Sequence, residues 1–133
     1  MTGLPVSSPA SGPCPCGSGT PYDACCGALH RQERQAGTPE ELMRSRYAAF
    51  AVGDGDHLFR TWHPRTRPDD VDPDPGTTWT ALEVLATSQD GDDGTVEFRA
   101  HWTAPTGSGV LHERSRFTRR AGRWVYVDGD QLG

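Results

Sequence analysis

The chain has 133 residues, 13 of them basic and 18 acidic, for a formal net charge of -5. That length suits one domain with a short appendage, large enough to fold without disulfides. The charge argues against broad, sequence-independent nucleic-acid binding, though it leaves room for a local basic patch, and no apolar run approaches the ~18 residues of a membrane span.

The chain opens MTGLPVSSPASGP, with no basic start leading into an apolar stretch. It does not read as a signal peptide, so the cytoplasm is the expected compartment. Residues 1–12, rich in Ser, Gly and Pro, read as a flexible tail.

All four cysteines follow within CPCGSGTPYDACC: Cys14, Cys16, Cys25 and Cys26. In a reducing compartment clustered thiols bind metal more readily than they pair. Two disulfides, a redox-active pair and an iron–sulfur cluster are the alternatives. The first suits a different compartment, and the C-x-x-C spacing usual for the second is absent. Thiolates suit zinc, which takes four ligands in a tetrahedron when structural. Gly17, Ser18 and Gly19 let the chain turn tightly and bring amides close to the sulfurs. Tyr22 is placed to pack across this small knuckle, which spans 13–30. His30 stands four residues after Cys26 and is a spare ligand if a helix continues there. With four thiols at hand it is expected to be solvated.

This stretch resembles the SEC-C motif, the zinc knuckle best known from the C-terminal tail of the SecA translocation ATPase. The resemblance implies zinc at Cys14, Cys16, Cys25 and Cys26. It also suggests docking on a protein partner through the knuckle.

Thr38 has the marks of a helix N-cap, with Pro39 at the first helical position and Glu41 three residues after the cap. The helix TPEELMRSRYAAFAVG is expected to run to about Gly53. A second helix is expected over Asp56 to Trp62, closed by His63-Pro64. Residues 64–76, PRTRPDDVDPDPG, read as a solvated loop or lid. The loop only superficially matches a calcium site, since its glycine is misplaced and no glutamate closes the frame.

Beyond this loop the apolar period becomes two. TTWTALEVLATS, TVEFRAHWTA, VLHERSRFTRR and RWVYVDG read as four strands joined by GDDG, TGSG and AG turns. In the second, Val96, Phe98, Ala100 and Trp102 alternate with Glu97, Arg99, His101 and Thr103. Helices followed by an antiparallel meander predict an α+β domain over 38–133, with the helices on one face of the sheet.

One charge falls out of place. At ~100° per residue Arg46 shares the apolar stripe of Leu42, Ala49, Phe50 and Met43, whereas Arg44 points away. A buried arginine needs a partner unless it reaches water along its own stem. In LHERSRF the residues Leu111, Glu113, Ser115 and Phe117 share a face, so Glu113 is the expected partner in a charge-assisted pair. Tyr47, Trp62, His63, Trp124, Tyr126 and Asp128 are expected to line the same space.

LMRSRYAAF, TWHP, ERSRF and WVYVDG resemble the YchJ-like family, in which a SEC-C knuckle precedes a nuclear-transport-factor-2-like domain. The resemblance covers most of the chain, from Cys14 to Gly129. It implies a cystatin-like cone, an antiparallel sheet curved around N-terminal helices with a cavity at its mouth. Many members carry a second, C-terminal knuckle, and this sequence has none after Gly129, so a role needing two knuckles is not expected. The expected function is a binding or adaptor module: the knuckle docks a partner and the cone holds a ligand or second partner. The competing class is a small-molecule isomerase, dehydratase or cyclase, with His63 or Asp128 as base and Tyr47 as donor. An open cone faced by unpaired His63 and Asp128 favours the enzyme; a filled cone favours the adaptor.

Overall fold

The computed structural model describes residues 12–133, so the tail expected at 1–12 lies, Gly12 apart, outside the described residues. A short 3-10 turn, Tyr22–Ala24, leads into helix α1, Cys26–His30. Helices α2, Pro39–Val52, and α3, Gly55–Arg60, follow. Strands β1, Thr78–Asp90, β2, Asp93–Ala104, β3, Gly107–Arg120, and β4, Arg123–Gln131, complete the fold.

The ends of α2 are set locally. The Thr38 side chain accepts from the Glu41 amide at 3.1 Å, a cap worth about 1 kcal/mol. Pro39 stands at the first turn, and Gly53 ends the helix with a φ of 81°, which side chains other than glycine rarely adopt. Asp54 then caps α3, accepting from the His57 amide at 3.1 Å. This second helix ends at Arg60, two residues short of the expected Trp62, because the following backbone turns to pair with β4.

The four strands form one antiparallel sheet in sequence order, β1-β2-β3-β4. Its turns are tighter than expected: Asp90 pairs with Asp93 and Ala104 with Gly107, leaving two-residue links. The alternation expected for β2 holds at Val96, Phe98 and Ala100, which are buried, but not at Trp102, which is half-buried like its neighbour His101 and outside the core cluster. Register shifts at Trp79/Ala81 and Val84/Ala86 in β1, and at Arg116/Phe117 against β4, bend the sheet around the helices. Its inner face joins Leu42, Met43 and Tyr47 of α2 in one core with Val96, Phe98, Ala100, Phe117 and Trp124. Pro39 lies directly over Gly94 of β2, where a side chain would displace it.

Helix α2 is buried on two sides. Opposite the sheet, Ala48 is fully buried in a second cluster with Cys14, Cys16 and Cys26. The knuckle is therefore packed onto the back of the helix that floors the cone.

Candidate functional site

The two cysteine pairs are brought together by a short loop and a helix start. Cys14 donates its amide to the Thr20 carbonyl at 3.0 Å, and Gly17 bonds back to Cys14 at 3.1 Å. Gly17 and Gly19 both take positive φ, as this turn requires. The second pair sits at the start of α1, with Gly27 close against the Tyr22 carbonyl. All four Sγ atoms lie within 4.8 Å of one another. Cys16 and Cys25 are 3.8 Å apart, and Cys25 and Cys26 are 4.0 Å apart. A tetrahedron with metal–sulfur bonds of ~2.3 Å has sulfurs about 3.8 Å apart, so the donor set fits such an ion.

The electrostatics agree. Hydrogen bonding to Cys16, with burial, pushes the Cys14 thiol up to about 11, and hydrogen bonds to Cys14 and Cys16 drive Cys26 up as well. Cys16 is driven down by the same contacts, with help from Ser18. Four crowded sulfurs cannot all ionise without a cation to balance them. Backbone amides of Cys16 and Cys26 act on Cys14, and that of Ser18 on Cys16, each favouring the thiolate. The Ser18 hydroxyl lies 3.2 Å from the Cys25 sulfur. These four cysteines could hold a metal ion.

His30 is not solvated, contrary to expectation. It is buried, with Nε2 2.8 Å from the Ser45 carbonyl oxygen and Nδ1 2.5 Å from the Tyr22 hydroxyl. Its ring lies 4.5 Å from that of His57, whose Nε2 is 2.9 Å from the Ser45 hydroxyl. Knuckle and helix are tied further by Arg44, which donates to the Cys16 carbonyl at 2.7 Å, and by Arg60, which donates to the His30 carbonyl at 3.0 Å. Sequence patterning missed this network because Ser45 and Ala48 face away from the stripe that meets the sheet.

On the other side of α2 the cone holds a cavity of about 220 Å³. Of the residues expected there, Arg46, Tyr47, Trp62, Glu113, Ser115 and Tyr126 line it. Met43, Phe50, Trp79, Phe98, Ala100, Leu111 and Phe117 supply the rest of the wall. Several of these were visible as core positions in the strand alternation, though not as cavity wall.

Three expected residues are elsewhere. Trp124 is buried in the core beneath the Arg119 guanidinium, which lies 5.0 Å from its ring, and does not reach the cavity. Asp128 points outward and pairs with Arg116 at 2.6 Å. The register shift at Arg116/Phe117 is responsible: Tyr126 lies opposite Phe117 and Asp128 opposite Arg116, so the two no longer share a face. His63 donates its amide to the Tyr126 carbonyl at 2.8 Å, beside the parallel bridge of Trp62 with Tyr126. Neighbouring residues of that extended segment face opposite ways. Trp62 therefore enters the cavity, while the His63 ring turns out to accept from the Arg65 amide at 3.0 Å.

Arg46 and Glu113 do not form the expected ion pair. Arg46 Nη1 donates to the Leu58 carbonyl at 3.1 Å and to the Thr61 hydroxyl at 2.7 Å. Its guanidinium lies 4.8 Å from the Trp62 ring and 4.6 Å from the Tyr126 ring. Burial pushes it down to about 10, partly offset by Tyr126 and Glu113, so it stays a cation at neutral pH. Glu113 Oε2 instead accepts from Ser115 at 2.6 Å and from the Tyr126 hydroxyl at 3.2 Å. Its carboxylate lies across Gly129, where any side chain would displace it.

Comparison with known proteins agrees with both halves. Residues 13–28 match the SEC-C motif, and residues 38–129 match the middle NTF2-like domain of YchJ. A UPF0225 protein of Streptomyces coelicolor is 54% identical over 124 residues, covering 90% of this chain and 96% of its own. One from Deinococcus radiodurans is 50% identical over 117 residues, covering 87% of each. The solution structure of a SEC-C motif containing protein from Rhodopseudomonas palustris, 38% identical, superposes with a TM-score of 0.81 over 91% of this chain and 99% of that one. The crystal structure of a SEC-C motif containing protein from Psychrobacter arcticus, 26% identical, superposes with a TM-score of 0.74 over 90% and 82%.

Proposed function

The chain belongs to the UPF0225 family, with a SEC-C motif and the middle NTF2-like domain of YchJ, and from that premise we propose that it is a zinc-braced, small-molecule-binding protein of the cytoplasm. Zinc bound by Cys14, Cys16, Cys25 and Cys26 would brace the back of α2, and the other side of α2 would form the floor of a ligand pocket. No helix of the described residues is long and apolar enough to cross a membrane, and thiolates at a zinc site need a reducing compartment. The knuckle spends its inner face on α2. Its exposed outer turn, Gly17 to Thr20, is the surface left for a protein partner.

The observation that carries this reading is the cavity itself. Its wall is largely apolar and aromatic and contains one buried guanidinium. Such a space with a few polar groups is the usual form of a small-molecule site. The enzyme class is less well supported, because His63 and Asp128, the candidate bases, both lie outside the cavity.

Native mass spectrometry of freshly isolated protein tests it. The expected mass is the chain plus one zinc plus a small-molecule adduct. Ala100 lines the cavity and is 2% exposed, so Ala100→Phe should fill it and abolish the adduct while zinc remains. An adduct that persists in that variant, or wild-type protein that carries none, would overturn the pocket reading.

A further inference from the structure

Three polar groups of the cavity wall have capacity to spare: Trp62 Nε1 is buried with no hydrogen-bond partner among the described residues, and the charged groups of Arg46 and Glu113 are only partly used. Arg46 is 6% exposed, and both of its hydrogen bonds leave from Nη1. Its Nε and Nη2 have no hydrogen-bond partner among the described residues. Glu113 accepts both of its hydrogen bonds on Oε2, leaving Oε1 without one among the described residues. Tyr126 stands between the two charged groups, its ring beneath the guanidinium and its hydroxyl on the carboxylate. A ligand that fills the cavity strips water from these atoms, so one that pairs with them is selected over one that leaves them unpaired.

The charges narrow the chemistry further. One fixed cation and one fixed carboxylate share the cavity and sum to zero. An anion drawn to Arg46 meets Glu113, and a cation drawn to Glu113 meets Arg46. An uncharged molecule that accepts from one and donates to the other suffers neither repulsion. The remaining wall is largely aromatic, with Trp62, Trp79, Phe98 and Phe117 suited to a flat ring. The volume is about 220 Å³, compared with the ~150 Å³ that accommodates benzene in an engineered cavity, so two fused rings fit.

Building on the ligand-pocket reading, we propose that the cone selects an uncharged, fused-ring aromatic molecule bearing a lactam or amide edge. The carbonyl of that edge accepts from Arg46, and its N–H donates to Glu113 Oε1.

The test uses the full chain with its metal and two isomeric probes, 4-methylquinolin-2-one and 1-methylquinolin-2-one. They have the same size and the same carbonyl, but only the first keeps the N–H. A third probe, 2-naphthoate, replaces the lactam with a charge. Calorimetric titration should give 4-methylquinolin-2-one a dissociation constant about tenfold lower than its isomer, the scale of one charge-assisted hydrogen bond. Binding of 2-naphthoate should be weaker than either. Glu113→Leu should bring the ratio of the two isomers' dissociation constants to about one, and that ratio is the readout whatever happens to the two values themselves. Equal binding of the isomers to the wild type, or tightest binding of 2-naphthoate, overturns the proposal and leaves the pocket reading standing. Failure of all three probes sinks the pocket reading along with it.

Discussion

The guanidinium of Arg46 lies 4.6 Å from the centre of the Tyr126 ring, and that ring's hydroxyl bonds Glu113. The arginine is thus held by an aromatic face and two oxygens, while the carboxylate is held by two hydroxyls. Arg46→Met should remove both oxygen bonds and cost about 1–3 kcal/mol. Glu113→Gln should cost less, since an amide oxygen still accepts from Ser115 and Tyr126. Because both side chains contact Tyr126, a double-mutant cycle by urea unfolding should return a small coupling, about 0.5–1 kcal/mol, at the low end of the range for groups in one network. A larger coupling would restore the direct pair that the sequence suggests.

That correction marks how far the sequence can be read. The strand alternation, the Thr38-Pro39 start and Gly53 stop of α2, and the spacing of the cysteines are local signals, and each is found in the fold. Helical phase correctly placed Arg46 on the buried face. It could not name the partner, because Leu58, Thr61, Trp62 and Tyr126 converge from separate segments. Asp128 was misplaced because one irregularity in the β3–β4 ladder reverses the faces beyond it, and strict alternation cannot register that. The inward turn of His30 depends on α1 docking against α2, which no periodicity within five residues encodes.

Ala48 is fully buried in the cysteine cluster. Ala48→Leu should therefore act as a wedge between α2 and those cysteines. Overpacking of this kind costs about 1–3 kcal/mol. Retention of added zinc in dialysis against a competing chelator should fall, while the sheet signal in circular dichroism stays. Unchanged retention would mean the knuckle does not depend on its seat on the helix.

Burial pushes the His57 imidazole down to about 3, with His30 and Arg46 adding to the effect, and its Nδ1 has no hydrogen-bond partner among the described residues. The folded protein keeps this ring neutral, whereas the unfolded chain takes up a proton near the ordinary value of 6.5. Stability is therefore complete above that value and falls as the pH drops toward 3, by at most roughly 1.4 kcal/mol per pH unit. Acid also protonates the thiols, so the wild type alone cannot isolate the effect. His57→Gln should be the less stable form at pH 7, with the gap narrowing at pH 5. Urea unfolding at both values measures it, and a gap that does not change would show that His57 is not the group responsible.

Chelation of the metal should separate the two sides of α2. The cysteine cluster and the sheet core share no residue, since Ala48 belongs to the first and Leu42, Met43 and Tyr47 to the second. Losing the ion leaves four crowded sulfurs to share protons, and thiols that no longer bind one centre have little to hold the 13–30 segment together. The bonds from Arg44 to the Cys16 carbonyl and from His30 to Ser45 should weaken with it. The strands should persist, because their ladder and the inner face of α2 do not involve the knuckle. Amide exchange is the suitable measurement: protection should vanish in α1 and diminish on the Ser45 side of α2, while β2 and β3 stay protected. Cys25→Ser should reproduce this pattern without chelator. Loss of protection in β2 and β3 at the same chelator concentration would mean that knuckle and cone unfold as one unit, and the metal would then be as necessary to the cavity as the sheet that forms its wall.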